Sequence, residues 1–361
     1  MSYISECPGR EEYSKVILSA AYQGPDAGFL RGERVLITGA TGMLGSALAR
    51  TLLYLNRSLD LGIKLLLPVR DEGRAREALQ GVWGRDDAEV FTCDLNRPVE
   101  IDGPVSFIVH AASPTASREF VEHPAGVLTG MLTQQMNLLS FAKSRNVHRY
   151  VYLSSMEVYG VQQGVVSEAD LGYVDPASVR SCYPEGKRAC ELMCLCYARE
   201  HSLPACSARL AQTFGAGARP GDSRAFSQFA KSALKGEDIV LKTAGASMGN
   251  YVHLADAVSA LMYLMALGLP GESYNVCGDR CHARIRELAL LISRTLSGGK
   301  SQVRCLGESP DALPYAPDTS FIMNNSKLRS LGWQPRFGLE DMALSLGRGL
   351  QEAENIQSPL V

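Results

Sequence analysis

A chain of 361 residues with 46% apolar residues and 34 glycines can bury a large core, in one big domain plus a smaller lobe. A net charge of −2, with Lys and Arg scattered rather than clustered, leaves no basic field for nucleic acid and points to a small-molecule partner. No basic stretch followed by an apolar run opens the chain, and the longest apolar run, Ala260 to Leu267, is too short to cross a bilayer, so a cytoplasmic protein without membrane contact is expected.

Residues 1–30 are polar and mixed, ending in QGPDAGFLRGE, and read as a surface extension. RVLIT (34–38) then has the aliphatic character of a strand buried on both faces, GATGMLG (39–45) is a turn, and Leu44, Leu48, Leu52 and Leu55 form the stripe of a helix packed on a sheet. The alternation continues with strands at 63–69, 89–95, 106–113, 149–155 and 204–211, and helices at 73–82, 124–144 and 184–201. Six strands alternating with helices predict an α/β fold, a Rossmann-type doubly wound parallel sheet. Beyond TFGAGARPGD (213–222) the alternation stops, and residues 213–361 read as a smaller, mainly helical substrate lobe, with segments such as 251–277 returning to the dinucleotide-binding domain of 31–212.

Ten cysteines without a CxxC pair read as reduced core thiols; Cys277, Cys281 and His282 lack a fourth ligand, so no metal is expected.

Gly39, Gly42 and Gly45, spaced three and three between a strand and a helix, form a turn whose backbone can approach a pyrophosphate. The second strand ends PVRDEGR. Arg70, with Arg74 behind it, stands where a cation would meet a 2′-phosphate, and Asp71 comes one place late, which favours NADP over NAD. Asp94, just past the third strand, is placed to accept from the adenine amino group.

Tyr183 and Lys187 are four apart on a predicted helix and share a face. An ammonium one turn along would stabilise the phenolate of a general base, and Ser155, ending the fifth strand, can hydrogen-bond the same substrate oxygen.

With these residues in place the chain resembles an extended short-chain dehydrogenase/reductase of the nucleotide-sugar epimerase/dehydratase family over about residues 33–350. The resemblance rests on TGATGMLG, HAASP (110–114), SSMEVYG (154–160), YPEGK (183–187), ARLAQTFGAG (208–217) and YVHLADAV (251–258). HAASP and EVYG are most similar to UDP-glucuronate decarboxylases and dTDP-glucose 4,6-dehydratases. The resemblance implies a nucleotide-sugar substrate, transient oxidation at C4 by a tightly held dinucleotide, and a homodimer joined through the two long helices. The candidate cofactor contacts are Gly39, Thr41, Gly42, Met43, Leu44, Arg70, Asp94, Leu95, Ala111 and Ala112 together with Tyr183 and Lys187; Ser113, Gln212, Arg224 and Tyr251 are the substrate candidates.

Glu157 is the fourth catalytic candidate. A C4 ketone acidifies C5–H and labilises a C5 carboxylate, so a carboxyl group nearby can act as acid or base or destabilise that carboxylate. The resembling dehydratases carry an Asp directly before this Glu, where Met156 stands here, which argues against dehydration. Two arginines usual in the family for the substrate pyrophosphate are also missing: Gly249 stands at one place, and 315–325 contains none. Gln212 replaces a usual Asn, and Arg224, Lys242, Arg280 or Lys327 could compensate. The reading is an enzyme that decarboxylates or epimerises a nucleotide sugar through a 4-keto intermediate; an NADPH-dependent reductase of another ketone and a non-catalytic dinucleotide sensor are the alternative readings.

Overall fold

The computed structural model describes residues 10–219, 221–307 and 318–357. Seven parallel strands, β1 (Arg34–Thr38), β2 (Lys64–Val69), β3 (Ala88–Thr92), β4 (Phe107–His110), β5 (Arg149–Ser155), β6 (Ala205–Leu210) and β7 (Ser273–Val276), lie in the order β7-β6-β5-β4-β1-β2-β3. Side chains of a strand alternate between faces, and here both faces are covered. Val35 and Ile37 join the core beneath the helices Met43–Leu59 and Leu254–Leu267, while Leu36, Ile108 and Tyr150 join the core beneath Pro124–Arg145 and Cys182–His201. That double cover is why these strands are continuous apolar runs.

The chain leaves β1 toward β2 on one side and returns to β4 on the other, so crossovers diverge beyond the carboxyl ends of β1 and β4. This is the doubly wound architecture expected. The short SYNV strand at 273–276 adds a seventh member by pairing with β6, register Ser273↔Ser207 to Val276↔Leu210. Two predicted strands are shorter than expected: the third ends at Thr92 and the fourth at His110, so Asp94, Leu95, Ala111 and Ala112 lie in the loops beyond.

Residues 10–30 depart from the surface extension expected. Glu11–Gln23 is a helix whose Tyr13, Val16, Ile17 and Ala20 are buried against Met43–Leu59, Leu254–Leu267 and Leu339–Gln357. The stripe covers only two turns and is interrupted by Lys15, Ser14 and Ser19, so the segment's overall polarity conceals it. Residues 1–9 lie outside the described residues.

In the carboxyl-terminal part, helices Ala225–Lys235, Ile285–Ser297 and Leu339–Gln357 enclose a separate core of Phe214, Phe226, Phe229, Tyr251, Leu288 and Leu346. Among the described residues no helix is long and apolar enough to cross a membrane.

Candidate active site

At the end of β1 the backbone turns through Gly39, whose φ of +67° suits a residue without a side chain. A Cβ there would lie 2.7 Å from the carbonyl carbon and oxygen of Ala111 and from the nitrogen of Ala112, so the turn touches the segment leaving β4 backbone to backbone. Gly45 is equally constrained: its Cβ would meet the Gly39 carbonyl. The Gly42 N–H donates to Gly39 O at 2.8 Å, and Gly42, as the residue capping helix Met43–Leu59, offers no side chain to the first-turn N–H groups. Uncapped donors at the positive end of a 17-residue helix, on a turn cleared of side chains, fit a pyrophosphate. Thr38 Oγ1 ties the two strand ends together, 2.8 Å from His110 Nδ1 and accepting from Ala112 N at 3.2 Å.

Arg224 reaches this turn. Its Nη2 is 3.8 Å from Met43 Sδ, while Asp222 binds the guanidinium at 3.0 Å (Nε) and 2.5 Å (Nη2). Arg219, which the sequence did not single out, donates to the Thr41 carbonyl. Ser113 is half-buried and donates to Pro114 O at 3.2 Å. Leu95 is buried beside the β3 end.

Beyond β2, Arg70 is exposed, and Asp71 caps helix Glu72–Ala78 by accepting from Arg74 N at 3.0 Å. Asp94 accepts from Asn96 N (3.0 Å) and Asn96 Nδ2 (2.9 Å), contacts that hold it below the usual carboxylate range, with Arg97 and Arg70 adding to the effect.

Ser155, Tyr183 and Lys187 come together as predicted from their spacing. Ser155 ends β5, and Tyr183 and Lys187 occupy the first turns of Cys182–His201, all three buried or half-buried. The Tyr183 ring stacks on Phe120 at 4.2 Å between centroids and 13° between planes. Burial raises its phenol well above the ordinary tyrosine range and Glu157 adds to the rise; a hydrogen bond with Ser155 and the charge of Arg180 oppose it.

Lys187 differs from expectation. Its ammonium donates to Leu153 O at 2.6 Å, 4.8 Å from the Tyr152 ring centroid and 5.7 Å from that of Tyr183, and burial lowers it to about 8. Ser155 and Arg180, not Lys187, are the groups that restrain the phenol here.

Glu157 stands beside the trio. Its N–H donates to Ser155 Oγ at 3.2 Å, and its carboxylate is gripped by Arg180 through Nη1–Oε2 at 2.8 Å and Nη2–Oε1 at 3.2 Å. Arg180 also lies over the Phe120 ring, 5.6 Å from its centroid. Neither Arg180 nor Phe120 was singled out in the sequence. Arg180 carried a signal, a cation three residues before Tyr183; Phe120, some sixty residues away in the chain, carried none.

Tyr251 does not meet its expected role as a substrate contact. It is fully buried, edge-on to Phe214 at 5.8 Å, its hydroxyl without a partner, because its strand pairs with Gln212–Phe214 and turns this side chain into the lobe core. Gln212 is its half-buried register partner. Lys327 is engaged by Glu272 at 2.6 Å, away from the trio. Residues 315–317 of the arginine-free stretch lie outside the described residues. Cys277 and Cys281 are buried and donate to Met323 O and Phe337 O; among the described residues no cluster of three His, Cys, Asp or Glu forms.

A parallel sheet whose crossovers diverge at the neighbouring strands β1 and β4, with a bare glycine turn at the end of β1 and a Ser-Tyr-Lys set at the end of β5 and on the helix Cys182–His201, defines a dinucleotide-binding α/β enzyme. The chain belongs to the NAD-dependent epimerase/dehydratase family, whose model matches residues 35–277. It is 30% identical to UDP-glucuronic acid decarboxylase 1 of Danio rerio, over 92% of this chain and 77% of that one, and 27% identical to UDP-glucuronic acid decarboxylase 6 of Arabidopsis thaliana, over 88% and 91%. In fold it is similar to a dTDP-glucose 4,6-dehydratase from Streptomyces venezuelae solved with NAD and TYD bound. That likeness has a TM-score of 0.75 and 23% identity, and covers 89% of this chain and 97% of that one. A UDP-glucuronic acid 4-epimerase from Bacillus cereus, solved with UDP-glucuronic acid and NAD, gives a TM-score of 0.74 at 19% identity, covering 88% and 99%. The resemblance read from the motifs is borne out at the level of family and fold.

Proposed function

We propose that this enzyme decarboxylates a nucleotide-linked hexuronate through transient oxidation at C4. The observation that carries the reading is Glu157, whose backbone N–H bonds Ser155 Oγ and whose charge reaches the Tyr183 phenol, in a chain whose similar relatives include UDP-glucuronic acid decarboxylases. A bound nicotinamide dinucleotide would accept hydride from C4 and later return it. Beside the positive charge that the bound dinucleotide would bring, Tyr183 would release its own proton to solvent and, as the phenolate, take the C4 hydroxyl proton while Ser155 Oγ holds that oxygen in line. The C5 carboxylate is then β to a ketone: the C5–carboxyl bond breaks, carbon dioxide leaves, and the bonding electron pair passes into the C4 enolate, which takes a proton from solvent at C5 through a water that Glu157 orders. Position 156 supplies no second acid for expelling water.

NAD is the dinucleotide we propose, in place of the NADP leaning of the sequence, because the family is NAD-dependent and similar structures are solved with NAD bound. Residues 31–212 would bind it and 213–361 would close over the sugar. We also propose a homodimer through Pro124–Arg145 and Cys182–His201, which expose Met136, Leu192 and Leu195; light scattering at the monomer mass would remove this.

The test is mass spectrometry of the protein incubated with UDP-glucuronate and NAD. Loss of carbon dioxide without net dinucleotide reduction supports the reading; stoichiometric consumption of NADPH with a ketone would support the reductase instead. Tyr183→Phe should abolish turnover with cofactor still bound, and Glu157→Gln should accumulate reduced cofactor while product stalls. Unaltered product formation by either variant removes that residue's assignment.

A further inference from the structure

The Glu157–Arg180 pair has a consequence for which sugars the site accepts. Glu157 is tethered to Ser155 through its own N–H, and its charge is felt by the Tyr183 phenol, so its carboxylate lies within electrostatic reach of the place where, on the proposed reading, C4 and therefore C5 would sit. An unpaired carboxylate there would repel the C5 carboxylate of a uronate at short range, inside a site where Tyr183 is buried and water screening is weak. Arg180 cancels that charge. Its two terminal nitrogens each bond one carboxylate oxygen, a planar fork that lysine or a water cannot reproduce, and its side chain is only 12% exposed. The guanidinium is held from behind as well, lying over Phe120, which itself stacks on Tyr183. One further donor, Arg180 Nε, is buried without a partner, so the cation has hydrogen-bonding capacity that Glu157 does not use.

We propose that Arg180 is a specificity-determining residue: by neutralising Glu157 beside the C4–C5 edge of the sugar, it makes the site accept a carboxylate-bearing hexose nucleotide. This rests on the proposed function, deepening it from a reaction to a rule of substrate acceptance. It also narrows the role of Glu157. A carboxylate locked in a bidentate ion pair cannot drive decarboxylation by repelling the substrate carboxylate, so proton handling is what remains to it.

The test measures equilibrium binding of UDP-glucuronate and UDP-glucose to holoenzyme variants, all carrying Tyr183→Phe so that no sugar is consumed. Arg180→Gln should weaken UDP-glucuronate roughly 10- to 100-fold while UDP-glucose stays within about 2-fold. Arg180→Lys, which keeps the charge but not the fork, should lose less than about 10-fold. Adding Glu157→Gln to Arg180→Gln should restore most of the UDP-glucuronate affinity, since the uncancelled charge is then gone. Equal loss for both sugars, or no recovery in the double variant, overturns the proposal and reduces Arg180 to a structural brace. Dinucleotide binding and the melting curve of each variant show whether it folds. Failure of the parent Tyr183→Phe protein to bind either sugar would instead overturn the proposed function, and this inference with it.

Discussion

Replacing Gly39 by alanine separates two costs that the structure assigns to different places. The first is conformational: φ is +67° at Gly39, and an L-residue held there costs about 1 kcal/mol. The second is steric. The new Cβ would lie 2.7 Å from three backbone atoms of Ala111 and Ala112, and ordinary contact begins near 3.4 Å, so the two segments would have to part by roughly 0.7 Å. Neither neighbour is a flexible side chain, so the turn itself must move. Such a displacement takes the Thr38 Oγ1–Ala112 N hydrogen bond, 3.2 Å at present, out of range, at a further cost of about 1 kcal/mol.

Gly84→Ala is the matched control, because Gly84 has φ +78° with nothing within 4 Å of its Cβ position. It should lose only the conformational part, about 1 kcal/mol in chemical denaturation, and keep its dinucleotide affinity. Gly39→Ala should lose about 2 kcal/mol and bind NAD at least about 10-fold more weakly by calorimetry, since the pyrophosphate turn has been pushed off its support. If the two variants denature alike and both bind NAD as the parent does, the backbone contact between the β1 turn and the β4 exit does not shape the cofactor site.

The remaining predictions concern charge. On the proposed NAD reading, Arg70→Ala should weaken NADP binding by about 10-fold and leave NAD binding, expected to be the tighter of the two in the parent, unchanged; a loss confined to NAD would give Arg70 a direct role in the adenosine subsite. His253 is buried and lowered from 6.5 to about 4, by desolvation against a small opposing effect of Asp341. A depressed histidine stabilises the fold at neutral pH and loses that contribution as pH falls from about 6.5 through 4, here on the order of 3 kcal/mol. His253→Asn, which can still cap helix Leu254–Leu267 where His253 Nδ1 accepts from Ala255 N, should therefore flatten the decline in urea midpoint between pH 7 and 4.5; an unchanged slope would assign the acid lability elsewhere, with His110 at about 3 the next group of the same sign.

What was legible in the sequence follows from which forces act locally. The sheet could be read because strands buried on both faces carry continuous aliphatic runs, as at 35–37 and 65–67, and because a backbone turn pressed on another backbone must be glycine, as Gly39 and Gly45 are. The trio could be read because a helix fixes residues four apart on one face. What eluded reading depends on chain segments meeting across long separations: Phe120 under Tyr183, Arg219 on the Thr41 carbonyl, the helix Glu11–Gln23 against the dinucleotide helix, and the inward turn of Tyr251.

Position 156 shows how the two kinds of information combine. From the sequence, Met156 is only a missing acid. In the structure, the short helical turn Met156–Tyr159 sends that side chain into the core, 9% exposed among the residues beneath the sheet, while Glu157 stays half-exposed at the site with its own arginine. An aspartate at 156 would be drawn into an apolar core at a cost of several kcal/mol unless the turn rotated, so the second acid cannot be restored by a single exchange. On the proposed reading, Glu157 paired with Arg180 would handle a proton near an anionic substituent, and Met156 offers no second acid for the expulsion of water.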